Sequence, residues 1–70
     1  MGMPGTELRA IRQHLELTQV QFALRLGLHA NTVARMERDE VGISGPVEKL
    51  ARLLLALAKK GQKEKPKRKR

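Results

Sequence analysis

The stretch "LRLGLHANTV", residues 24 to 33, sets the tightest limit on the fold. Two helical patterns meet there with almost nothing between them. Thr18 and Gln21 form the pattern T-x-x-Q, a capping box that starts a helix at Gln19. Phe22, Ala23 and Leu26 repeat at helical spacing, and Gly27 is a natural stop. A second pattern, with Val33 and Met36 inward, resumes within a few residues and predicts a helix over about 30–38. Two short helices with so short a join must cross at a steep angle, so the pair is a helix-turn-helix candidate. The second helix of such a pair fits a major groove about 12 Å wide while the first crosses the backbone above it.

Two further helices flank this pair. Thr6 is the expected N-cap of the first, and Glu7 suits its first turn. Leu8, Ile11 and Leu15 then predict a helix over 7–16. "DEVGIS" reads as a loop, and Gly45-Pro46 restarts the chain. Val47, Leu50, Ala51, Leu54, Leu57 and Ala58 fall on one face of a last helix, about 46–60, which Gly61 should end. The chain beyond it has no apolar residue and is expected to be disordered. The domain is thus all-α and spans 6–60. A flexible N-terminus, 1–5, precedes it, and a disordered basic tail, 61–70, completes the chain.

Charge divides the chain the same way. The formal charge is +8, but residues 59–70 carry eight basic side chains and one acid. Residues 1–58 carry seven basic and six acidic ones, so the body is nearly neutral. The high isoelectric point belongs to the tail and says little about the body. Seventy residues allow one small core, and no cysteine is present to staple it or to bind zinc as thiolate. His14 and His29 lie far apart with no tight carboxylate cluster, so neither a metal nor another cofactor is expected. No apolar run approaches membrane-spanning length, and the N-terminus lacks the regions of a signal peptide. The expectation is a soluble, cytoplasmic protein. No nucleophile–base pair or phosphate loop suggests an enzyme.

The segment "LTQVQFALRLGLHANTVARMER" resembles the phage repressor and Cro type of helix-turn-helix, the Xre family. Leu17-Thr18-Gln19, Phe22-Ala23, Leu26-Gly27, Thr32-Val33, Arg35 and Glu37-Arg38 carry the likeness. Leu8, Ile11, Arg12 and Leu15 before them, and "ISGPVEKLARLL" after, extend it over roughly 6–58. The resemblance implies a compact domain of four helices, or five as in larger relatives, that binds double-stranded DNA and regulates transcription, most simply as a repressor. The resemblance adds to the location that the protein is nucleoid-associated, or nuclear in a eukaryotic cell.

It also implies roles. Gln19 would meet a phosphate or base, and His29 would stand at the N-cap of the recognition helix. Ala30, Asn31 and Arg35 would face bases, and Thr32 a phosphate. Arg12 and Glu37 match a structural ion pair of the family. His29 replaces the usual Ser or Thr, and Asp39-Glu40 stand where many relatives have Gly and bases.

Each residue also has a plainer reading. Arg35 is either bidentate to guanine or paired on the surface with Asp39 at i+4. Asn31 reads adenine or caps locally. Ala30 touches a thymine methyl or is simply a good helix former. His29 donates to a phosphate or is a surface imidazole, and His14 is solvated. Lys63, Lys65, Lys67, Arg68, Lys69 and Arg70 are candidate non-specific phosphate contacts, a nuclear localisation run, or a solubilising tail. Val20 with Leu24, and Leu53 with Leu55, either widen the apolar cover of a tiny core or form a surface for a homodimer or a protein partner. Two non-repressor readings therefore stand beside the main one. The first is a protein-interaction module of antitoxin or coactivator kind, and the second is a non-specific nucleic-acid binder driven by the tail.

Overall fold

The computed structural model describes residues 2–68, with side chains through residue 60. Four helices come in sequence: α1 (Gly5–His14), α2 (Gln19–Leu26), α3 (Ala30–Glu37) and α4 (Gly45–Arg68). Leu8 and Ile11 of α1, Phe22, Ala23 and Leu26 of α2, Val33 and Met36 of α3, and Ala51 of α4 form the core. Phe22, Leu8 and Val33 are its largest fully buried side chains. Each helix therefore contributes a narrow apolar stripe at 3.6-residue spacing to one shared centre.

The chain's start departs from expectation. A flexible segment is expected over residues 1–5, yet Met3 is buried in the core and Gly5 is the first residue of α1. Met1 lies outside the described residues. The N-cap is Pro4, not Thr6, and proline's side chain cannot cap. Asp39, just past α3, takes over that role. Its Oδ1 accepts a 2.9 Å hydrogen bond from the Gly5 N–H, placing a carboxylate at the positive end of α1. The approach is close because Gly5 has no side chain. A Cβ there would strike the Met36 carbonyl oxygen and come within 2.6 Å of that of Glu37.

The first three helices end alike. Residues Glu16, Gly27 and Asp39 take left-handed conformations, with φ of 60°, 74° and 63°. Around each, two backbone bonds close the helix in a Schellman pattern. Glu16 and Leu17 donate to Gln13 and Arg12, Gly27 and Leu28 to Leu24 and Ala23, and Asp39 and Glu40 to Met36 and Arg35. Only one of the three positions is a glycine. This ending stops α1 at His14 rather than at residue 16.

The last helix differs in both its end and its rotation. It passes Gly61 and runs to Arg68, beyond the expected stop. A glycine inside a helix costs only about 1 kcal/mol against alanine, and the Lys, Gln and Glu around it favour helix. For residues 61–68 only this helical backbone is described, and Lys69 and Arg70 lie outside the description. The face of α4 centres on Ala51, with Val47, Leu50, Leu54 and Leu55 packed beside it. Leu57, expected inward, stands about 120° around the helix from Ala51 and is exposed. Leu55, expected as a flank, packs against the core instead. Arg52 ties α4 to α1 by donating to Glu7 at 2.9 Å while pairing with Glu48 on its own helix.

Candidate nucleic-acid interface

The join between α2 and α3 is Gly27, Leu28 and His29. Gly27 supplies the left-handed turn and Leu28 packs against the core, so the crossing is fixed from inside. At the start of α2 the capping box is complete. Thr18 Oγ1 accepts from the Gln21 N–H at 3.1 Å, and Gln21 Oε1 accepts from the Thr18 N–H at 2.9 Å. Gln21 is thereby occupied at the cap.

His29 is the N-cap of α3, with extended backbone and no side-chain cap bond. Its carbonyl accepts from Thr32 and Val33, while its imidazole is exposed. Val33 and Met36 anchor α3 in the core. Asn31, Arg35 and Arg38 lie on the side away from it, at i, i+4 and i+7. The Arg35 and Arg38 side chains are 57% and 59% exposed. One helical face thus carries an amide and two guanidiniums into solvent. Thr32 is half-buried at the flank. Ala30 packs against the core, a placement its small size accounts for.

Behind this face lies a polar network. Arg12 on α1 grips Glu37 at the end of α3 with Nε–Oε2 at 2.7 Å and Nη2–Oε1 at 3.1 Å. Arg12 Nη1 also donates to the Leu17 carbonyl at 3.0 Å. The Glu37 side chain is only 4% exposed and that of Arg12 15%, so the pair is largely dry. Gln19, first residue of α2, donates its amide to Glu37 Oε1 at 3.1 Å. One carboxylate therefore holds three helices together, and Gln19 is partly engaged by the fold itself. Its amide has a second N–H with which to meet a ligand.

Two surface acids sort themselves differently from expectation. Asp39 is not the partner of Arg35, because its left-handed backbone turns it toward Gly5. Glu40 takes that place. It accepts from Arg38 Nε at 2.8 Å and Nη2 at 3.3 Å and lies 3.5 Å from Arg35 Nε. The hydrogen bond from Arg38 holds the Glu40 carboxyl below the ordinary carboxylate value.

Sequence reasoning missed Arg38 as part of this face and the pairing of Glu40 with it. The seven-residue step from Asn31 to Arg38 was a usable signal for the first. The acid at Glu40 stood out as a departure from relatives that would repel phosphate if it faced DNA, but its pairing with Arg38 depends on the turn at Asp39. The side chains of Lys63, Lys65, Lys67, Arg68, Lys69 and Arg70 lie outside the described residues. Among the described residues no group of three His, Cys, Asp or Glu could hold a metal, and no helix is long and apolar enough to cross a membrane.

A family model described as helix-turn-helix matches residues 8–60, from the buried Leu8 of α1 through most of α4. The chain belongs to the Xre/Cro-type helix-turn-helix family. Comparison with curated proteins and with solved structures gives no match. Xre/Cro-type domains bind DNA in gene regulation and are not typically enzymes, and this chain is a DNA-binding regulator of that general kind. In this Xre/Cro-type domain α2 and α3 are the helix pair, and α1 and α4 brace it.

Proposed function

We propose that the protein recognises a specific sequence in double-stranded DNA by laying α3 in the major groove, and that it represses transcription by occluding a promoter. The observation that carries this is the outer face of α3. Asn31 and Arg35 project from a helix whose opposite side is locked into the core. Arg35 suits a bidentate contact to guanine O6 and N7, and Asn31 one to adenine. His29, Thr32 and the second amide N–H of Gln19 suit phosphates near the helix ends, while the Ala30 methyl is taken up by packing against the core. The basic tail, with Lys63, Lys65, Lys67, Arg68, Lys69 and Arg70, adds sequence-independent attraction to phosphate.

Selection of the full chain against a randomised duplex library at physiological salt tests the proposal. The expected result is a recovered motif. Asn31→Ala and Arg35→Ala should each cost about 1–3 kcal/mol and relax preference at one base position. Equal binding to all sequences, unmoved by either substitution, overturns specific repression and leaves a binder driven by the tail.

A second reading rests on the exposure of Val20 (58%) and Leu24 (75%), one turn apart on α2, with Leu53 and Leu57 exposed on α4. Such apolar surface suits a second copy of the chain or another protein. If the copies pair, two half-sites should lie about 34–36 Å apart along the duplex. Light scattering at high concentration, with and without DNA, decides it: a monomer in both conditions rules the homodimer out.

A further inference from the structure

Glu40 is hydrogen-bonded to Arg38 and lies 3.5 Å from Arg35, the two arginines on the outer face of α3. Its side chain is exposed, but its backbone is held by the fold. The left-handed turn at Asp39 folds the chain back, and the Glu40 N–H donates to the Arg35 carbonyl at 2.9 Å. The backbone of residue 40 is thereby fixed beside Arg35. From there the carboxylate accepts both the Nε and Nη2 hydrogens of Arg38 and reaches Arg35 Nε. The Nε–Nη2 edge is one that a guanidinium uses to grip a phosphate or a guanine. Among the described residues neither arginine pairs with any other carboxylate.

We propose that Glu40 is a built-in competitor for DNA: it holds Arg35 and Arg38 in the free protein and must release them when the duplex binds. The inference rests on the DNA-reading role of α3. A carboxylate 2.8 Å from Arg38 would lie within a few ångströms of any phosphate held by the same guanidinium. Like charges that close repel, so the pair cannot persist unchanged under the duplex. Glu40 therefore lowers affinity for every sequence.

The test is a substitution cycle in the full chain, read by binding to the selected duplex and to a mixed-sequence duplex. Glu40→Gln removes the charge at an exposed site outside the core. Glu48→Gln is the control, since it removes the same charge and loosens Arg52 on α4 instead. Exposed ion pairs are weak, so Glu40→Gln should tighten binding by about two- to fivefold, with the gain fading as salt rises. Glu48→Gln should not match it, and the gain should vanish when Arg35 and Arg38 are both alanine. Equal or weaker binding by Glu40→Gln would show that the carboxylate props the arginines rather than withholding them. An undiminished gain in the double-alanine background, or the same gain from Glu48→Gln, would reduce the effect to net charge. Either result overturns the competitor while leaving α3 as the reader. If neither the unsubstituted chain nor Glu40→Gln binds any duplex, the DNA-reading role falls and the competitor with it.

Discussion

At the scale of single residues, the helix ends carry the clearest consequences. Glu16 and Asp39 both sit in the left-handed region, which costs an L residue about 1–2 kcal/mol. Glycine removes that cost but gives up chain entropy of about 0.5–1 kcal/mol. Glu16→Gly should therefore gain up to about 1 kcal/mol, a rise in Tm of several degrees for a domain this small. Asp39→Gly should not share the gain, because it also deletes the cap on Gly5, worth about 1 kcal/mol. Thermal unfolding of the two variants side by side checks the contrast. The acid at residue 40 adds a pH signature. Its carboxyl is held low by Arg38, so the ion pair is present above the ordinary carboxylate value and is lost as pH falls through the lowered one. A carboxyl-detected NMR titration should place the Glu40 midpoint below that of a free glutamate, and Arg38→Ala should bring it back up. Gly27 was legible in the sequence because glycine announces a left-handed stop. Glu16 and Asp39 were not, because their residue types favour no such turn strongly and the helix packing imposes it.

At the scale of elements, α1 and α3 are joined at two points. Glu37 meets Arg12 and Gln19 in a dry network, and Gly5 lies against the last carbonyls of α3. Glu37→Ala strands the Arg12 guanidinium in that network, and breaking a buried pair from one side costs about 3–5 kcal/mol. Denaturant unfolding should show a loss of that order, far larger than for Glu48→Ala at the exposed Arg52 pair. Gly5→Ala should cost about 1–3 kcal/mol, since the added methyl meets backbone that cannot swing aside. The helices themselves were readable from the period of Leu8, Ile11, Phe22, Leu26, Val33 and Met36. The ion pair spans 25 residues and no local pattern signals it. Only the resemblance of Arg12 and Glu37 to a family pattern suggested it. The docking of the N-terminus onto α3 left no trace, because Met3 stands in no periodic stripe and Gly5 beside Pro4 reads as a loop.

At the scale of the whole molecule, a nearly neutral helix-turn-helix domain carries a strongly basic end. Deleting residues 61–70 should flatten the salt dependence of DNA binding by about 0.9 in log–log slope for each phosphate that the tail had neutralised. The order of preference among sequences should survive, since Asn31 and Arg35 remain. Binding isotherms at several salt concentrations, with matched and mismatched duplexes, read both effects. The buried Met3 has a practical corollary for anyone who needs to label or immobilise this protein. A dye, tag or fusion placed ahead of it pulls on a side chain wedged into the core, next to the joint that holds the far end of α3. Such a handle would report on its own disturbance. The opposite end of the chain, away from this packing, is the safer point of attachment.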